Sequence, residues 1–197
     1  MTTQAVLNKD GVTGFLFSNA AEYAATDLGD LENVDTAPVA VQLDLGGTVT
    51  TLTARESTKC DLGNGTAFYP MSFAVTASIE FATAPTTGET VDFYWAPSHS
   101  ATAGKGNMAQ LTGTDAAYAG GAAELLECLK QLMFIGSLVA SADATTFVQT
   151  AFIGVFSPPD RYGSLVVRNS TSVSYHSDAV EMAVSFEPII PDVQAAV

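Results

Sequence analysis

The chain has little charge, and less of it is positive than negative. Of its 197 residues 14% are charged, well under the typical value of about 25%. Seven Lys and Arg stand against 21 Asp and Glu, a formal net charge of −14. The seven are scattered at Lys9, Arg55, Lys59, Lys105, Lys130, Arg161 and Arg168, so the sequence contains no basic cluster. Nucleic-acid binding draws on cations that displace phosphate counterions, and DNA and RNA are not expected partners. Anionic membrane surfaces are disfavoured by the same sign argument.

Cysteine, histidine and long apolar runs are also scarce. Cys60 and Cys128 are isolated, without the CxxC or Cys/His spacing of a zinc site. Two free thiols in a reducing compartment are the default, with a Cys60–Cys128 disulfide as the alternative. The longest apolar stretch, Leu132 to Ala140, is broken by Gly136 and Ser137 and is far too short to span a bilayer. The N-terminal MTTQAVLNKDGVTG has neither the basic region nor the apolar run of a signal peptide, so synthesis in a cytoplasm is expected.

Catalytic motifs are missing as well. Gly104-Lys105-Gly106-Asn107 lacks the upstream glycine and the Ser/Thr of a phosphate loop and reads as a flexible loop. Ser98-His99-Ser100 and His176 with Asp178 are the His-centred options for a hydrolase, but no GxSxG elbow accompanies them and they read as turn or surface residues. Glu181 and Glu187 are expected on the outer face of one strand, about 20 Å apart and too distant for a glycosidase pair. The acidic passage TDLGDLENVD (26–35) lacks calcium-loop spacing and reads as solvated loop. No catalytic, cofactor-binding or metal residue is assigned, no cofactor is implied, and enzyme activity is not expected.

What is present is strand material. Hydrophobic residues make up 47% of the chain, enough for a sizeable core. From Ala179 to Pro188, Val180, Met182, Val184 and Phe186 alternate with polar or small residues, the pattern of a strand with one buried face. Val39 to Leu45 alternates too and is followed by Gly46-Gly47 and Thr48 to Thr53, which predicts a tight hairpin. A second hairpin is predicted between Phe73–Phe81 and Thr90–Ala96, with Phe73, Phe81, Phe93 and Trp95 on inner faces. Phe147 to Phe156 is apolar on both faces, as in a central strand, and Pro158-Pro159 stops it. Leu165–Val167, Val173–Tyr175 and Val180–Phe186 complete the strands.

Residues 98–121 are rich in Ser, Thr, Ala and Gly, and a loop of that length is usually functional or ordered by a partner. AAELLECLKQL (122–132) spaces Leu125, Leu129 and Leu132 as a short helix. These elements predict an all-β, two-sheet antiparallel sandwich, jelly-roll-like, with one short helix. Residues 1–36 read as an N-terminal arm, containing a short strand over Val12–Phe17 and a marginal helix over Ala20–Leu28. Residues 37–190 read as the sandwich domain and 191–197 as a tail.

Tyr69, Tyr94, Trp95 and Tyr118 could form a sugar platform, although Trp95 alternates in phase with Val91 and Phe93 and is expected in the core. Tyr94 faces the other way. A carbohydrate-binding module is therefore one functional alternative.

The segment PPDRYGSLVVRNSTSVSYHSDAVEMAVSFEPII (158–190), with YWAPSHS, the Gly/Ala loop and LKQLMFIGSLVAS upstream, resembles small virion proteins of tailed bacteriophages. The resemblance spans roughly residues 70–190 and rests on structural motifs. It implies a head-decoration (cement) protein on the capsid exterior, or a tail component. The implied partners are the major capsid protein and further copies of the chain, as a homotrimer, with synthesis in a bacterial host cytoplasm. By this reading the working surfaces are the arm and the 98–121 loop.

Overall fold

Alternating sequence becomes strand, but the strands pair differently from the local pattern. A computed structural model describes residues 6–8, 14–23, 38–47, 49–63, 72–118, 122–142, 148–189 and 191–193. The first half of the chain gives β1 (Val6–Asn8), β2 (Phe15–Ser18), β3 (Val39–Gln42), β4 (Ala54–Glu56), β5 (Cys60–Asp61), β6 (Ser72–Glu80) and β7 (Thr90–Ser98). There follow β8 (Ala116–Ala117), helix α1 (Ala122–Leu129), β9 (Met133–Val139), β10 (Val148–Phe156), β11 (Tyr162–Asn169), β12 (Ala183–Ile189) and β13 (Pro191–Val193).

One sheet runs β10-β6-β12-β2-β3, antiparallel except where β3 lies parallel to β2. The other runs β8-β4-β11-β7-β9, with β5 also on β11. Chain order therefore places β2-β12-β6-β10 opposite β4-β11-β7-β9, with the chain crossing between sheets at most connections. That is the strand order of a jelly roll, and the fold is the expected two-sheet sandwich.

Between the sheets lies an aromatic core. Phe17 and Phe186 are 4.8 Å apart by ring centroids, Trp95 and Phe156 5.6 Å, and Trp95 and Phe186 5.8 Å. Trp95 is fully buried, as its phase predicts. A second apolar layer covers the outer face of the β11–β7 sheet. Leu111, Tyr118, Leu125, Cys128 and Leu129 pack there over Ala54, Ala96 and Val166, whose small or flat side chains let loop and helix approach. Helix α1 forms because Leu125, Cys128 and Leu129 share the buried face at helical spacing while Glu124 and Glu127 face water.

Both predicted hairpins are corrected. Residues 43–45 and 49–53 are not strand, and the next strand, β4, belongs to the opposite sheet. Gly46-Gly47 does turn, but to pack closely: Gly47 N–H donates to His176 O at 2.7 Å, and a Cβ on Gly46 would lie 3.1 Å from Ala179 N. β6 and β7 likewise lie in different sheets. An alternating strand buries one face whether its neighbour in sequence pairs beside it or packs across the core, so the pattern alone is ambiguous.

Three boundaries also change. Phe15–Ser18, read as part of the arm, is an inner strand between β12 and β3, with Phe15 and Phe17 in the core. Pro191–Val193, read as tail, pairs with Val6–Asn8. β10 is an edge strand, not a central one. The expected strand from Val180 begins only at Ala183, because Met182 N–H turns back to Ala179 O at 3.2 Å. Ala20–Glu22 is a turn, and the acidic passage 26–35 and Tyr69 lie outside the described residues.

The edge strands β9 and β10 meet at a seam. Each carries one extra residue, Ile135 in β9 and Ile153 in β10, where its pairing register shifts. The bulges face one another, with the position of a Cβ on Gly136 2.4 Å from Ile153 O and Gly154 close to Ile135 O.

Candidate functional site

Two places on the molecule carry features beyond plain packing, and the long loop links to the first. Residues 99–118 are not left for a partner to order; buried polar groups of their own chain hold them. Lys59 Nζ donates to Ser98 Oγ (2.8 Å) and to the carbonyls of Ser100 (3.0 Å), Thr102 (2.7 Å) and Lys105 (2.7 Å). The carboxylate of Glu56 accepts from Thr112 N–H and Oγ1–H and from Gly113 N–H, at 2.9–3.2 Å. Arg55 Nε donates to Asp115 Oδ1 at 2.6 Å, and Asp44 N–H donates to Asp115 Oδ2 at 3.2 Å. Burial raises the Glu56 pKa despite these bonds, and burial lowers that of Lys59. The Gly104–Asn107 turn is part of this frame: Asn107 Nδ2 donates to Ala103 O (2.7 Å) and Leu111 O (3.0 Å).

The first place is the flank formed by α1, β9 and β10. Six large apolar residues are exposed among the described ones, and five lie here: Leu126, Phe134, Val139, Phe152 and Val155. Four of these are 58–65% exposed. The bulge seam brings the two strands alongside, and a hollow of about 410 Å³ joins Leu126 and Phe134 through Leu129, Tyr94, Lys130 and Arg168. Strands β9 and β10, MFIGSLV and VQTAFIGVF, contain no charged residue. The charge-free stretch is thus that of the two strands, with Lys130 and Arg168 beside it at the hollow.

The second place is a cluster at one end of the sandwich. His176 Nδ1 lies 3.2 Å from Asp178 Oδ1 and 3.6 Å from Glu80 Oε2. The sequence singled out His176 and Asp178 but not Glu80, which is the last residue of β6 and 96 positions away. Its one sequence signal is an acid at the end of a strand that is otherwise apolar or small.

The remaining candidates do not converge. Ser98 is buried with its hydroxyl held by Lys59, whereas His99 is exposed and faces Asp160 at 3.3 Å. Glu181 sits in the turn before β12 and Glu187 on the strand itself, so the two do not share a strand as expected. Tyr118 is buried with its hydroxyl donating to Ala109 O at 2.5 Å, which removes it from a sugar platform. Tyr94 is half-buried against Phe134, centroids 5.4 Å apart. Arg161 forms a bidentate pair with Asp61 (2.6 and 2.8 Å), which holds that carboxyl below the usual range. Asn169 is fully buried and closes the 169–173 turn, donating to Val173 O at 2.7 Å. Cys60 and Cys128 are both free and buried, and burial pushes the Cys60 thiol up. Among the described residues no helix is long and apolar enough to cross a membrane.

Comparison with family models, with curated proteins and with solved structures returns no match.

Proposed function

We propose that the protein is a non-catalytic structural subunit that assembles with copies of itself, and that its role is that of a capsid decoration protein of a tailed phage. One observation carries the assembly: the exposed apolar flank of Leu126, Phe134, Val139, Phe152 and Val155, four of them on the charge-free strands β9 and β10. Copies with a formal charge of −14 repel one another, so they associate where charge is absent and apolar area is greatest. A second copy is the occupant that meets both conditions. The decoration role rests on the sequence resemblance, and the jelly-roll order is compatible with it, since that architecture recurs in viral capsid and lectin domains. An acidic chain also suits the outside of a shell better than its DNA-facing interior.

A carbohydrate-binding module is the competing class, and the burial of Trp95 and Tyr118 removes two of the tyrosine and tryptophan side chains it would draw on. Pelleting separates the two. Purified protein mixed with undecorated shells of its phage should sediment with them and saturate at a fixed number of copies per shell. Binding to a glycan array without any co-sedimentation would overturn the proposal.

A further inference from the structure

We propose that Glu80, His176 and Asp178 form a binding site for a divalent transition-metal ion, which ties the connection between β11 and β12 to the end of β6. The donor atoms of the three side chains all lie within 4.8 Å of one another. Ligands about 2.0–2.2 Å from a zinc-sized ion stand roughly 3.3–3.6 Å apart in a tetrahedral shell. The 3.6 Å separation of His176 Nδ1 from Glu80 lies in that range, and the 3.2 Å from Asp178 falls about 0.1 Å short of it. His176 is held in place by its backbone, whose N–H donates to Glu80 O at 2.9 Å and whose carbonyl accepts from Gly47 N–H at 2.7 Å. Its neighbour Tyr175 is buried and bridges Phe81, the residue after Glu80.

Glu80 supplies the second, independent observation. Its side chain is only 6% exposed, yet it receives no hydrogen bond from any other described residue; the one basic side chain beside it is His176 at 3.6 Å. Buried carboxylates are paired or coordinate metals. Asp178 and Glu181 add negative charge around it. An imidazolium would set one positive charge against three carboxylates; a neutral imidazole with a divalent cation sets two.

One imidazole nitrogen with two carboxylates suits Zn²⁺, Co²⁺ or Mn²⁺ rather than Ca²⁺ or Mg²⁺, which take oxygen shells. Asp178 is 53% exposed, so water completes the coordination from its side. The ion would join parts of the chain about 96 residues apart in sequence, and binding only the folded form stabilises it.

The test uses the full-length protein, stripped with chelator and titrated with Co²⁺ alone. One ion should bind per chain, with a visible d–d spectrum and no thiolate charge-transfer band, which excludes Cys60 and Cys128 as ligands. At 100 times Kd the Tm should rise by about 5–10 °C. His176→Ala should weaken binding by more than the roughly 10–100-fold that loss of an outer-shell partner costs. Asp178→Asn, at an exposed position, should weaken it at least about 10-fold while keeping the metal-free Tm. Absence of saturable binding at millimolar Co²⁺, affinity unchanged in His176→Ala or Asp178→Asn, or a thiolate band would overturn the assignment.

Discussion

Glu56→Ala will destabilise the fold by about 3–4 kcal/mol. Its carboxylate is nearly fully buried and accepts from the N–H groups of both Thr112 and Gly113 and from the Thr112 hydroxyl. Removing it orphans the buried Gly113 N–H and the partly buried Thr112 N–H, and each such donor costs up to about 1–3 kcal/mol, least where water can reach it. A small cavity adds to that cost. Glu56→Gln keeps one acceptor oxygen but turns an NH₂ toward donors, so about half the loss is expected. Urea unfolding measures both, and faster exchange of the Thr112 and Gly113 amides locates the damage. A loss below about 1 kcal/mol would mean that the 108–118 segment is not anchored through Glu56. Lys59→Met should act more locally, releasing the four acceptors at Ser98, Ser100, Thr102 and Lys105.

Gly136→Ala will cost about 2–3 kcal/mol and loosen the flank. A Cβ at this position would lie 2.4 Å from Ile153 O and 2.9 Å from Ile153 Cγ2. The nearer atom is backbone inside a bulge and cannot swing aside as a long side chain could. Relief requires the β9–β10 seam to part, which moves Phe134, Phe152 and Val155 relative to one another. Gly104→Ala is the matched control, because nothing lies within 4 Å of its Cβ and no change beyond about 0.5 kcal/mol is expected. Denaturant midpoints of the two variants compare them directly. Equal midpoints would show that the seam tolerates a methyl group.

The sequence made the strands legible and left their partners hidden. Inner-face residues such as Phe73, Val91, Phe93, Trp95, Val184 and Phe186 follow from period-two alternation and are all buried. Alternation does not say whether β7 pairs beside β6 or faces it across the core, which is why two crossovers read as hairpins. Phe15-Leu16-Phe17-Ser18 is too short to show a period, so an inner strand passed for an arm. β10 reads as central because Phe152 and Val155 point outward and are apolar; the structure leaves them exposed at an edge. What suggested burial within one chain is the surface proposed for contact between chains. Glu56 and Lys59 carried no signal and Glu80 only that of an acid closing an apolar strand, because each meets its partners across 39 or more positions of sequence.

If copies of this chain associate through the apolar flank, the solution mass of the wild type will differ from that of Phe134→Asp/Phe152→Asp. Both side chains are more than half exposed, so the double variant should fold with an unchanged circular dichroism spectrum. Sedimentation equilibrium over roughly 10–100 µM should find the wild type as a multimer, a trimer if the phage resemblance holds, and the variant as a monomer. At that concentration a full loss corresponds to a Kd weakened by at least about 100-fold, or 2.7 kcal/mol per contact. A wild type that stays monomeric throughout, or a variant that sediments at the wild-type mass, would rule out association through this flank.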